Sequence, residues 1–205
     1  MKNKIEKVAV LGAGTMGAQI AGHLANAGIP SCLFDISQEL AESGVGMLTS
    51  LKPAPLYKPK NASLIEACNY DDHLKKIKDA DWIVEAVAEN LDIKHKVYKN
   101  IAQYIKGSAI ISSNTSGIPL GDLTQVMSDD LKSRFLITHF FNPPRYMRLL
   151  ELVKGPDTAD DIYNDMSIFG EDILGKGIVH AKDTPNFIGN RIGVHGGNNA
   201  IRLAI

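Results

Sequence analysis

Lys7-Val8-Ala9-Val10-Leu11 runs straight into Gly12-Ala13-Gly14-Thr15-Met16-Gly17, and this junction restricts the fold more than any other feature of the chain. A short, nearly continuous apolar run suits a strand buried on both faces of a parallel sheet. The small and apolar residues Met16, Ile20, Leu24 and Ala27 then recur at helical spacing, and Gly28 and Pro30 stop the helix. Ser31-Cys32-Leu33-Phe34 reads as a second strand closed by Asp35, which completes a βαβ unit. In that setting Gly12 permits the tight turn, Gly14 lets the backbone approach a pyrophosphate, and Gly17 lets helix and sheet pack closely. The helix start at Thr15 and Met16 offers free N–H groups and a partial positive charge to phosphates. Asp35 lies 18 residues after Gly17, where a carboxylate accepts hydrogen bonds from ribose hydroxyls and repels a 2′-phosphate. Ile36 and Ser37 offer no arginine to hold one, so NAD is expected over NADP. FAD would also fit the glycine pattern.

The alternation continues. Helices are expected from Ser37 to about Leu51, from Leu91 to Ile105 and from Asp157 to Leu174. Strands are expected at Asp81–Val87, Ala109–Ser112, Arg134–Phe140, Leu149–Val153 and Gly177–Ala181. Pro53, Pro55 and Pro59 make Lys52–Lys60 a loop. The fold class is therefore α/β, a Rossmann-like, doubly wound and mainly parallel sheet with flanking helices. A new helix is expected from Pro185 to the apolar stretch ending at Ile205. The expected division is a nucleotide-binding domain over 1–184 and, over 185–205, the first helix of a truncated helical domain.

Composition narrows the partners. A net charge of −1 gives no field for nucleic acid or an anionic membrane. Cys32 and Cys68 are the only cysteines and show neither metal-ligand spacing nor a disulfide framework. The polar start, Met1 to Lys7, has no targeting pattern, and no apolar run is long enough to span a bilayer. A soluble, cytoplasmic protein is expected.

Three further segments place polar residues at or near the strand ends where open α/β sheets bind ligands: Ser112–Ser116, Thr138–Pro144 and Leu149–Val153. Histidine near neutral pKa suits an alcohol oxidation, which releases a proton and a hydride. Glu151, twelve residues after His139 in an apolar strand, is costly to bury without a partner.

With Gly12–Gly17, Glu85-Ala86-Val87-Ala88-Glu89-Asn90, Ser113–Ser116, His139–Pro143, Glu151 and Asp183–Arg191, nearly the whole chain resembles the 3-hydroxyacyl-CoA dehydrogenase family. The resemblance implies NAD-dependent oxidation of an L-3-hydroxyacyl-CoA to the 3-oxoacyl-CoA, as in fatty acid β-oxidation. It implies His139 as general base and Glu151 as its partner, with Ser116 and Asn190 on the substrate oxygen. Asn114 would hold the nicotinamide side, and Glu89 and Lys94 would line the ribose and nicotinamide. It also implies an acyl-CoA site shared with a helical second domain. The isolated chain would then be inactive or weakly active, and homo-oligomers would form through that domain. Lys52, Lys58 and Lys60 suit a solvated loop better than coenzyme A phosphates. His23, His73, His95, His180 and His195 are expected to be structural or on the surface. The alternatives are a crystallin-like sugar-acid dehydrogenase, which would not use CoA, and a non-catalytic NAD-binding module, which would need no base.

Overall fold

The computed structural model describes residues 4–204, so the expectations placed on Met1–Asn3 and Ile205 lie outside the described residues. Eight strands form one sheet in the order β3-β2-β1-β4-β5-β6-β7-β8. The first half comprises β1 (Val8–Leu11), α1 (Thr15–Asn26), β2 (Ser31–Asp35), α2 (Gln38–Met47), β3 (Ile65–Asn69) and the single turn α3 (Tyr70–His73). The second half begins with β4 (Trp82–Glu85), α4 (Leu91–Ile101), β5 (Ile110–Ser113) and the short helices α5 (Leu120–Leu123) and α6 (Asp129–Ser133). It continues with β6 (Phe135–Phe140), β7 (Leu149–Lys154), α7 (Asp160–Ile168), β8 (Gly177–Ala181) and α8 (Gly189–Ala204).

Strand β1 pairs in parallel with both β2 and β4. The strand order therefore reverses beside it, and a crevice opens at the carboxyl ends of those strands. The central strands are apolar throughout because helices cover both faces: Val8, Val10 and Trp82 join one core cluster, while Ala9, Leu11 and Ile83 join another.

The sequence reading is corrected in several places; the helix expected to reach Ile105 ends at Ile101, and the strand expected over Asp81–Val87 is confined to Trp82–Glu85. Strand β3 was not expected, because its exposed Glu66 and half-buried Ala67 interrupt the apolar run of an edge strand. The helix expected to reach Leu51 ends at Met47. The segment expected to be helical to Leu174 is α7 followed by a wider turn over Phe169–Ile173. Helix α8 begins at Gly189 rather than Pro185, because Asn186 (φ 63°) and Phe187 (φ 46°) adopt the left-handed backbone that cannot propagate a right-handed helix. Every described residue of α8 beyond Asn190 is exposed. Among the described residues, no helix is long and apolar enough to cross a membrane.

One buried histidine ties α1 to the end of the turn that follows α7. His23 Nε2 lies 3.0 Å from the Leu174 carbonyl oxygen and must donate to it. The acceptor nitrogen, Nδ1, is then buried without a partner among the described residues. Burial, aided by the Lys176 ammonium, pushes the imidazole down to about 4. The unfolded chain therefore binds a proton near pH 6.5 that the native state refuses until about pH 4. The contribution of this one group is fully present above pH 6.5 and falls by roughly 3 kcal/mol as pH drops to 4. Urea titrations between pH 4 and 7 should show His23→Gln losing about that much less stability than the parent over the same range. Equal losses would refute the assignment.

Candidate functional site

The glycine turn is built by close approach. A Cβ on Gly17 would lie 1.8 Å from the Gly12 carbonyl oxygen, so α1 packs directly onto the turn. Gly12 has φ 103°, and a Cβ there would meet the Ala86 carbonyl oxygen at 2.7 Å. Gly14 is different: no atom lies within 4 Å of its would-be Cβ. It is the N-cap of α1 without a side-chain hydrogen bond, and the first turn holds no acidic residue. Uncapped N–H groups thus face an opening, the arrangement that receives a pyrophosphate.

That opening is a cleft of about 570 Å³. Of the residues singled out in the sequence, Gly12, Gly14, Thr15, Met16, Asp35, Glu89, Asn114 and Ser116 line it. Asp35 does two things. Its Oδ2 accepts the Ala13 N–H at 2.7 Å and its Oδ1 the Ile36 N–H at 2.7 Å, which fastens the rim of β2 to the glycine turn. Carboxylate oxygens accept more than one bond each, so both retain capacity for ribose hydroxyls.

Glu89 accepts the Thr115 hydroxyl at 2.6 Å and the Ser116 N–H at 2.8 Å. Burial raises its pKa, but these bonds and the nearby Lys94 ammonium outweigh burial and lower it overall. Asn114 accepts the Phe140 N–H at 2.9 Å, which ties the cleft floor to the strand position following His139.

Lys94 is placed otherwise than expected of a cofactor-lining group. It is 1% exposed and does not line the cleft. Its Nζ bonds Glu85 Oε1 at 2.7 Å and pairs with Glu89 Oε2 at 3.2 Å. Glu85 also takes the Tyr98 hydroxyl at 2.9 Å and the Ser113 hydroxyl at 2.6 Å. Lys94 therefore acts behind the cleft, through Glu89.

Sequence reasoning also missed the apolar end of the cleft, where Ile36, Tyr70, Ile93 and Val97 form walls suited to a flat base. The Tyr70 ring stacks on Phe34 at 5.7 Å, and its hydroxyl has no hydrogen-bond partner among the described residues. Ile93 and Val97 are four apart on α4 and so share a face; that spacing was the available signal.

His139 and Glu151 meet because β6 and β7 are antiparallel neighbours, with His139 directly opposite Glu151. Cross-strand partners on one face bring their side chains together, and Nδ1 lies 2.8 Å from Oε2. His139 is 4% exposed and Glu151 fully buried. A carboxylate only accepts, so Nδ1 carries the hydrogen, and in the neutral imidazole Nε2 keeps its lone pair. Glu151 Oε1 accepts the Ile188 and Gly189 N–H groups at 3.0 and 2.7 Å, which anchors the start of α8. The two left-handed residues before that helix seat Phe187 against the imidazole, with ring centroids 5.6 Å apart. Asn190 is half-buried in the first turn of α8, immediately after these bonds. His139, Glu151 and Asn190 do not line the dinucleotide cleft; they lie beyond its Asn114 end.

A family model described as 3-hydroxyacyl-CoA dehydrogenase, NAD binding domain, matches residues 7–184. A probable 3-hydroxyacyl-CoA dehydrogenase of Bacillus subtilis is 46% identical across 96% of this chain and 28% of its own length. One from Deinococcus radiodurans is 48% identical across 94% of the chain and 58% of its own. The chain thus spans about a quarter of one curated relative and somewhat over half of the other. The crystal structure of a (S)-3-hydroxybutyryl-CoA dehydrogenase from Ralstonia eutropha superposes with a TM-score of 0.81 at 33% identity. That match covers 92% of this chain and 68% of that one.

Proposed function

In a chain that belongs to the 3-hydroxyacyl-CoA dehydrogenase family and forms its NAD-binding domain, we propose that His139 is the general base for oxidation of an L-3-hydroxyacyl-CoA to the 3-oxoacyl-CoA. The observation that carries this reading is the buried His139–Glu151 bond at 2.8 Å, just beyond one end of the dinucleotide cleft. Bound NAD supplies a hydride acceptor; every other part of the reaction falls to the protein. The N–H groups at the start of α1 hold the pyrophosphate, Asp35 the ribose, and Asn114 the nicotinamide side. The unprotonated Nε2 of His139 takes the proton of the 3-hydroxyl. Glu151 fixes the tautomer and offsets the imidazolium charge as it forms, in a setting that water does not screen. Ser116 and Asn190 bond the substrate oxygen. Lys94 keeps Glu89 in place at the cleft rim.

Residues 185–205 begin a second, helical unit that completes the acyl-CoA site. The exposure of α8 beyond Asn190 supports that division. Self-association through that unit, a place in fatty acid β-oxidation and a cytoplasmic site of action belong to the same proposal. The substrate class is tested by following NADH oxidation with acetoacetyl-CoA and with free 3-oxo acids, in an enzyme form long enough to turn over. The CoA thioester should be reduced at least a hundredfold more efficiently. Equal rates with free acids would favour a sugar-acid or hydroxy-acid dehydrogenase instead.

A further inference from the structure

A second cluster of reactive side chains lies at the opposite edge of the sheet from His139, on the parallel pair β2–β3. Register places Cys32 opposite Glu66 and Phe34 opposite Cys68. Side chains alternate along a strand, so Cys32, Glu66 and Cys68 share one face. Their sulfur and carboxylate oxygen atoms all lie within 4.8 Å of one another. Both thiols are almost fully buried, at 2% and 0% exposure.

The obvious product of two neighbouring thiols, a disulfide, does not suit this geometry. The cysteines are diagonal rather than opposite on parallel strands, and a strand spacing of about 4.8 Å with a rise of about 3.3 Å per residue sets their Cα atoms roughly 8 Å apart. That exceeds the roughly 4.4–6.8 Å a disulfide tolerates. An ion between the sulfurs relieves the mismatch, because thiolates on a tetrahedral zinc-class ion stand about 3.8 Å apart at metal–sulfur bonds of about 2.3 Å.

A further observation points to a ligand. Cys32 and Glu66 line a surface cavity of about 490 Å³, which gives an ion a route in. The charges also balance. Two thiolates and a carboxylate around a dication leave one negative charge, and the Lys76 ammonium already paired with Glu66 neutralises it.

The geometry points to a binding site for one thiophilic divalent ion, of the zinc and cadmium class, held by Cys32 Sγ, Cys68 Sγ and a Glu66 oxygen with water in the fourth position. On binding, each thiol gives its proton to solvent and two metal–sulfur bonds form, with no change of oxidation state. The ion would pin the edge strand β3 to β2, three residues before Asp35.

Cadmium alone is the probe. Titrating the 205-residue chain should raise a thiolate-to-cadmium charge-transfer band that saturates at one ion per chain, with two protons released. Cys32→Ala and Cys68→Ala should each weaken binding at least a hundredfold, and Glu66→Gln about tenfold, while NADH binding stays unchanged. Cadmium NMR of the unaltered chain reports the donor atoms without any variant and should show two sulfurs. Absence of the band, its persistence in both alanine variants, or a cadmium resonance with only nitrogen and oxygen donors would overturn the site.

Discussion

Replacing His139 by glutamine should lower turnover of an L-3-hydroxyacyl-CoA by roughly 10²–10⁴-fold, the worth of a positioned acid–base group. That corresponds to about 3–5 kcal/mol in the barrier. Glutamine retains a donor for Glu151 and fills similar space, so β6 and β7 should still pair, but it offers no basic nitrogen to the substrate hydroxyl. His139 does not line the dinucleotide cleft, so NADH affinity should change by less than about threefold. Glu151→Gln should also reduce turnover and move its pH profile, because the imidazolium loses its countercharge. Steady-state rates and NADH titrations in an enzyme form that turns over separate the two quantities. A His139→Gln enzyme of near-parental rate would remove the base from the mechanism.

The second large effect concerns stability. Glu85 is fully buried and takes four donors: Lys94 Nζ and the Val87 N–H, each at 2.7 Å, on one oxygen, and the Tyr98 and Ser113 hydroxyls on the other. Glu85→Ala would strand a buried ammonium, whose remaining partner is Glu89 at 3.2 Å, together with two hydroxyls. Removing one member of a buried ion pair costs about 3–5 kcal/mol. Urea unfolding should show a loss of that size. Glu85→Gln combined with Lys94→Met, which removes both charges and keeps an acceptor for the hydroxyls, should recover much of it. A loss below about 1 kcal/mol for Glu85→Ala would mean that the Lys94 ammonium is not confined as the structure places it.

These two residues mark how far the sequence could be read. His139 and Glu151 stood out because each is polar in an otherwise apolar strand, and the spacing of Gly12, Gly14 and Gly17 announced the turn that Asp35 closes. Glu85 stood in the motif that carried the family resemblance but received no role of its own. Its side-chain partners come from α4 and β5, and nothing local to β4 reveals them. Lys94, expected to line the ribose and nicotinamide, is placed by the same cause: only the tertiary packing of α4 on β4 buries it against Glu85. Strand β3 escaped because its pattern is that of a short edge strand. The antiparallel return of β7 against β6, which sets His139 opposite Glu151, was legible in principle, because the short segment 141–148 is too brief for a parallel crossover. The late start of α8 rests on two left-handed residues that composition does not announce.

The most direct measurement is a calorimetric titration of the 205-residue chain with NADH and with NADPH. One NADH should bind per chain and NADPH far more weakly, because Asp35 lines the cleft and its carboxylate would repel a 2′-phosphate placed there. Replacing Asp35 by serine and Ile36 by arginine should shift the preference toward NADPH. Failure to bind NADH, or equal affinity for the two dinucleotides in the parent chain, would contradict the assignment of the cleft between β1, β2 and β4.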